Sequence, residues 1–443
     1  MYNFSKETNS EQFEAFVLTH GGIYLQSAKW ADVKKDWSHR FYSGFGEKGD
    51  RVLTALILER HLPAAGKIWY CPAGAVCDYD NGVLLKEFAA FMLGEMKKAG
   101  ATALFFDPCV ELRIDGQKQD RGVRVHSSLL DAGFVLNPDA SKSLYKAPVQ
   151  LILPLKDENG AEVTPEKLLK SFEKGVRYSV RVGENRGLVE RVFTSKDVKE
   201  DPKILDEFAA VMRDTSDRND FTERGSDYIE RLLDVFGGDE MDIMLVYYDK
   251  NKDKALEAER QERRAELMTQ LETAPEKKIR GIKEEIESID KQTEHFSERI
   301  RETEKEGDLV AVAGGLTVHY GKMSSCLFGG ARNLLRNNLR ASHYFNFRRI
   351  CRSIALRNDV HDLGYVLLKP NSPDPDGTLG ECVPREDFEG INAFKKSFGA
   401  AYTEYIGEYV LVSDKLKFFA YNKLFDYGKK ARSVLNKIVK KTR

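Results

Sequence analysis

Residues 279–300 read IRGIKEEIESIDKQTEHFSERI, with Ile279, Ile282, Ile286, Ile289, Phe296 and Ile300 recurring at intervals of 3, 4, 3, 7 and 4. Thr293 fills the skipped position, so an a/d seam runs for three heptads and predicts a coiled-coil helix. Working backwards, residues 255–272 favour helix, with Leu256, Leu267 and Leu271 as their apolar contacts, and Thr273-Ala274-Pro275 reads as the turn between two antiparallel helices. The segment 250–307 is therefore expected to be a two-helix arm, projecting about 36 Å at ~1.5 Å per residue. As a bare pattern it fits a spacer, a dimerisation arm or an RNA contact equally.

On either side the composition changes. Residues 1 to about 150 alternate: helix 10–19, a strand near Gly22–Gln26, helix 28–36, strands 51–60 and 67–71, helix 82–99, strand 102–106 and a helix near 120–132. A second unit opens with the strand QLILPL near Gln150 and repeats the alternation: helix 165–174, strand 188–193, helices 201–213 and 225–236, strand 241–248 and, beyond the arm, strand 309–319. Further strands and helices follow at Met323–Leu327, 330–340, 387–398 and Tyr405–Val412, with the turn cluster NSPDPDG (371–377) between them. The fold class is mixed α/β.

The chain has 443 residues, 42% hydrophobic and 31% charged, with a formal net charge of −1, so contact with a polyanion must come from local basic patches. The start lacks the basic and apolar regions of a signal peptide, and no apolar run is long enough to cross a bilayer, which gives a cytoplasmic expectation. Six cysteines show no C-x-x-C pair and no zinc spacing; no nucleophile-elbow G-x-S-x-G, convincing Cys/His pair, phosphate-loop or metal constellation is visible, and no cofactor is implied. Residues 427–443 hold seven basic side chains and no acid, with Ala431, Val434, Leu435, Ile438 and Val439 on one helical face. This fits peripheral contact with an anionic membrane surface, or a packed terminal helix with a solvated side.

The segment Gly390-Ile391-Asn392-Ala393-Phe394-Lys395-Lys396-Ser397-Phe398-Gly399, followed by Glu404-Tyr405-Ile406-Gly407-Glu408, resembles the signature of the Fem aminoacyltransferases. Gln26-Ser27 with Trp30-Ala31-Asp32-Val33-Lys34, then Asp107-Pro108, then Arg218, Arg224 and Tyr228 match in the family's order, as does Arg177-x-x-x-Arg181 before Asn185-Arg186-Gly187. The arm falls where the branch-building members carry one. The resemblance implies two acetyltransferase-like (GNAT-type) domains, 1–149 with 400–443 and 150–249 with 308–399, the second interrupted by the arm 250–307. It implies transfer of an amino acid from aminoacyl-tRNA to the stem peptide of a peptidoglycan precursor, lipid II or UDP-MurNAc-pentapeptide.

By the same resemblance Lys395 stabilises the oxyanion or the tRNA terminus, Phe394 shapes the pocket, and Asp107 accepts or orients the ammonium proton. Lys34, Arg224 and Tyr228 match positions that bind the precursor's phosphates and sugar. Phe328 stands where the family often has Tyr, removing a hydroxyl from one phosphate contact. Arg348 and Arg349 are arginines added to a family element, and face either tRNA or phosphate. Read without the resemblance, Lys395 is a solvated surface charge and Asp107 a strand-end turn cap. Two other function classes stay open: an acyl-CoA-dependent N-acyltransferase, although no R/Q-x-x-G-x-G/A turn is present, and a non-catalytic tRNA-binding protein.

Overall fold

The computed structural model describes residues 1–62, 66–137, 149–219, 224–366, 368–370, 372–384 and 389–420. The basic tail 427–443 lies outside them. Contacts divide the chain into two compact units: the first holds Met1–Ile152, Leu363–Lys396 and the residues from Ala400 on, and the second holds Leu153–Asp362 with Ser397–Gly399. Residues 150–152 and 363–396, expected in the second domain, fall in the first unit, where Arg113 donates to the Asp374 carboxylate and the Leu379 carbonyl.

In the first unit the strands Asn3–Glu7, Ser38–Phe45, Arg51–Leu62, Gly66–Cys71, Ala101–Phe106, Tyr409–Val412 and Val135–Leu136 lie side by side in that order, and Val76–Cys77 pairs with Arg51–Leu62. Gly66–Cys71 and Ala101–Phe106 run parallel, joined by the helix Gly82–Ala99. That helix forms because Asn81 accepts from the Leu84 amide at 3.0 Å and Gly100 ends it at φ +69°. Its face of Leu84, Leu85, Phe88, Met92 and Met96 covers the central strands, and Ala101–Phe106 is buried along its whole length, as a strand covered on both faces must be. Tyr409–Val412 pairs antiparallel with residues 103–106, so the chain's late part completes the early sheet. A further antiparallel ladder in this unit pairs residues 149–152 with Ala401–Tyr405, which in turn pairs with Glu111–Ile114, and that with Gln117–Lys118.

The second unit repeats the motif. Leu188–Phe193, Met241–Asp249, Leu309–Tyr320 and Met323–Ala331 form antiparallel neighbours, and helix Ala341–Ala355 crosses over so that residues 360–362 run parallel to 323–325. The arm leaves and returns at a strand pair, Asp249 opposite Leu309. Its helices are Lys250–Thr273 and Glu276–Glu302, antiparallel through Asp253 with Arg299, Gln261 with Thr293 and Arg264 with Asp290. Leu267 and Ile289 are buried on the expected seam. At the root, Arg299 donates two hydrogen bonds to Asp253, at 2.8 and 3.0 Å, with both side chains almost fully buried.

Several expected elements differ. Tyr24–Gln26 is a 3-10 turn, not a strand, because the Gln26 side chain accepts from the Ile23 amide. Strands Asn3–Glu7 and Ser38–Phe45 went unread. The helix expected at 330–340 is a strand to Ala331, a short helix Arg336–Leu339 and then Ala341–Ala355. Tyr405–Val412 is two strands, separated around Gly407.

Candidate functional site

Helix Glu389–Lys396 carries Phe394, Lys395 and Lys396 in or beside its last turn, where the helix dipole favours cations. The two lysines have different surroundings. The Lys395 ammonium donates to the Tyr365 carbonyl at 3.0 Å and lies 5.7 Å from the centre of its ring, while Tyr365 is 58% exposed. Lys396 instead reaches the Asp115 carboxylate and the Tyr402 ring. The carbonyl and the ring face both hold the ammonium in place. Phe394 is half-buried beside it.

One turn back on the same face, Asn392 is 3% exposed, and its amide nitrogen has no hydrogen-bond partner among the described residues. Sequence reading passed over this residue. A polar side chain three positions before the lysine is the signal that points to it.

The rest of the signature is structural. Phe398 is fully buried, packing edge-on against Phe172 at 5.4 Å. Glu404 accepts from Arg113 at 3.3 Å, and burial pushes its carboxyl above the usual range. Gly407 has φ +100°, and a Cβ there would meet the Leu379 side chain at 2.5 Å; no other residue fits both demands.

Asp107 is 5% exposed; it accepts from the Tyr70 hydroxyl at 3.0 Å and the Ala73 amide at 2.8 Å. Ala73 has φ +58°, and the Gln26 amide donates to the Ala73 and Gly74 carbonyls. The carboxylate therefore holds a tight turn, the bonding expected of a strand-end cap. Ser27 caps the next helix by accepting from the Trp30 amide, and Lys34 at that helix's end lies 4.6 Å from the Trp30 ring centre.

In the second unit Arg224 is exposed over the Tyr228 ring at 5.6 Å, and burial raises the Tyr228 phenol's pKa. Arg348 and Arg349, expected to face tRNA or phosphate, are both engaged within the protein. Arg349 is 4% exposed, 4.4 Å over the Phe345 ring, and donates to the Phe328 carbonyl at 2.6 Å. It fills a slot left by Gly315, where a Cβ would meet its guanidinium at 2.1 Å. Arg348 pairs with Glu190. Phe328 is half-buried and contributes its carbonyl to that slot.

The structure also assembles a Cys/His contact invisible in the sequence: Cys326 lies 3.3 Å from His361 Nε2. The ring's other nitrogen meets Ser324 at 2.7 Å and Ser353 at 2.9 Å, and complete burial holds the imidazole's pKa far below its usual value. A neutral, fully buried ring is a packing element, not an activated base.

Among the described residues no helix is long and apolar enough to cross a membrane. A crystal structure of FemX is similar over 93% of this chain and 97% of its own, with a TM-score of 0.71 and 24% identity, which establishes the fold. The lipid II:glycine glycyltransferase of Staphylococcus aureus is 28% identical over 418 residues, 91% of each chain. Its counterpart in Staphylococcus saprophyticus is 28% identical over 411 residues, 89% of this chain and 90% of its own. The FemAB family model matches residues 8–425, so the chain belongs to the FemAB family.

Proposed function

We propose that this chain is an aminoacyltransferase that moves an amino acid from an aminoacyl-tRNA to the stem-peptide amine of lipid II, building an interpeptide bridge. The acceptor reading is supported by relatives of nearly equal length that are named lipid II:glycine glycyltransferases. The observation carrying the chemistry is Lys395, a cation held by a carbonyl and an aromatic ring at the end of the signature helix.

In the proposed step the acceptor's neutral amine attacks the ester carbon, a C–N bond forms, and the carbonyl oxygen gains negative charge. The Lys395 ammonium stabilises that oxygen, and Phe394 walls the pocket. The C–O bond then breaks, and the ribose oxygen leaves with the proton the amine gives up. No covalent enzyme intermediate is needed. Taken singly, Arg224 stacked on Tyr228, and Lys34 over Trp30, suit phosphate oxygens, since guanidinium and ammonium groups bind them through charge and hydrogen bonds. Asp107 acts by positioning: it fixes the turn at 71–74.

The test is incubation with lipid II and either a mixture of charged tRNAs or acetyl-CoA, reading the product by mass. A single amino-acid increment from the tRNA arm alone is expected. An acetyl increment, or none, overturns the reading.

A further inference from the structure

We propose that the second unit carries a phosphodiester-binding pocket for the RNA donor, built from Lys170, Lys174, Arg177, Tyr178 and Arg181. It rests on the aminoacyl-tRNA reading above and gives a role to the Arg177-x-x-x-Arg181 helix, to which no function has been assigned. The five side chains line a cavity of about 480 Å³.

The local sequence explains the cluster. Helices Pro165–Ser171 and Lys174–Glu184 meet at Phe172, which is 1% exposed and packs against Phe347 and Phe398. The second helix buries Val176, Ser179, Val180 and Gly183. Its opposite face presents Lys174, Arg177, Tyr178 and Arg181 at helical spacing. Arg177 donates to the carbonyls of Lys170 and Phe172, at 2.8 and 3.0 Å, which satisfies the first helix's end and fixes the corner.

What marks the pocket is the absence of counter-charge. Glu166 and Glu184 lie on the same two helices and Glu173 between them, yet among the described residues no carboxylate stands within 4 Å of Lys170, Lys174, Arg177 or Arg181. Elsewhere in the unit Arg299, Arg260, Arg348 and Arg352 all meet acids. Four like charges on two short helices repel one another, Arg177 and Arg181 at i,i+4 among them. A bound polyanion removes that cost.

An RNA strand fits better than a membrane surface. The cations line a concavity, and positions 174 to 181 span ~10 Å along the helix, enough to face more than one phosphate of a strand. Tyr178, 61% exposed between Arg177 and Arg181, offers a ring on which a base can stack. Tyr178 and Met268 on the arm are the only large exposed hydrophobic side chains among the unit's described residues. An interfacial helix would need an apolar face directed at lipid.

The test combines Lys170→Gln, Lys174→Gln and Arg181→Gln in the full-length protein, leaving the Arg177 corner intact, with Tyr178→Ala as a separate variant. Equilibrium binding of uncharged tRNA is measured across salt, alongside steady-state transfer and co-sedimentation with phosphatidylglycerol vesicles. The expected result for the triple variant is tRNA affinity at least tenfold weaker, with a log–log salt slope shallower by about two, at ~0.7 per phosphate contact. KM for aminoacyl-tRNA rises in step, while kcat and KM for lipid II stay within about twofold. Tyr178→Ala weakens tRNA binding with the salt slope preserved. Unchanged tRNA binding, or no binding by the unaltered protein, overturns the proposal, as does loss confined to the vesicles or to KM for lipid II. Transfer from tRNA with KM insensitive to the triple variant defeats the pocket alone. Weakened tRNA binding in a protein that transfers nothing defeats only the catalytic reading.

Discussion

Two pairs of arginines in the second unit, Arg348 with Arg349 and Arg177 with Arg181, lie on amphipathic helices and look alike in sequence, yet the fold treats them in opposite ways. Arg349 is enclosed in a slot made by Gly315, Phe345 and the Phe328 carbonyl, and Arg348 is held by Glu190. Arg181 and its lysine neighbours line an open cavity with no acid beside them among the described residues. The lesson is that a cation is available to a ligand only where the fold has not already answered its charge. Adjacent lysines also diverge in what they touch: Lys395 donates to the Tyr365 carbonyl beside that residue's ring, and Lys396 reaches the Asp115 carboxylate.

The contrast breaks most sharply at the enclosed end. Arg349→Met is expected to lower unfolding stability by about 1.5–3 kcal/mol, the range for a hydrogen bond to a charged group, read as a shifted denaturant midpoint with unchanged slope. A stable variant that instead loses tRNA affinity would put Arg349 back on the binding surface. Asp107→Ala should cost about 1–3 kcal/mol, because the Ala73 amide loses its acceptor. With the variant kept folded, transfer should persist at a reduced level. Its complete loss would make the carboxylate a proton acceptor after all.

A pH profile sharpens the same point for a buried base. Burial lowers the His343 pKa from 6.5 to about 4, and Arg340 adds to the effect. Between those values the unfolded chain binds more protons than the folded one, so stability should rise with pH across that window and fall as pH drops from about 6.5 towards 4. His343→Gln should flatten part of the slope in denaturation series at fixed pH. The smallest effect is expected from Glu190→Gln, which frees Arg348: a loss of at most about 1 kcal/mol for a partly exposed pair, with tRNA affinity raised less than the pocket variants lower it.

Much of the fold could be read in advance because its long elements keep regular periods. The arm's isoleucine seam, the helix at 82–99 and the strands at 101–106, 188–193 and 241–249 stand close to their expected bounds. Failures gathered where a local pattern was overridden. Gly329-Gly330-Ala331 continues a strand against Ala313–Gly315, so the long helix that follows begins only at Ala341. Gly407, at φ +100°, breaks what reads as one strand.

The site was only partly legible, for a related reason. Resemblance pointed to Lys395 and Phe394, and helical spacing could have pointed to Asn392. Nothing local reveals that Cys326 meets His361 35 positions away, or that Arg349 is inside. Burial of a charge is decided by the partner the fold brings, and that partner is remote in sequence.

The most direct measurement is single-turnover and steady-state transfer by Lys395→Met with charged tRNA and lipid II, beside tRNA binding by the same variant. The account predicts a kcat about 10²–10³-fold lower, the scale of one lost oxyanion donor, with tRNA affinity within about threefold of the unaltered protein. A folded variant that turns over at the original rate would contradict it.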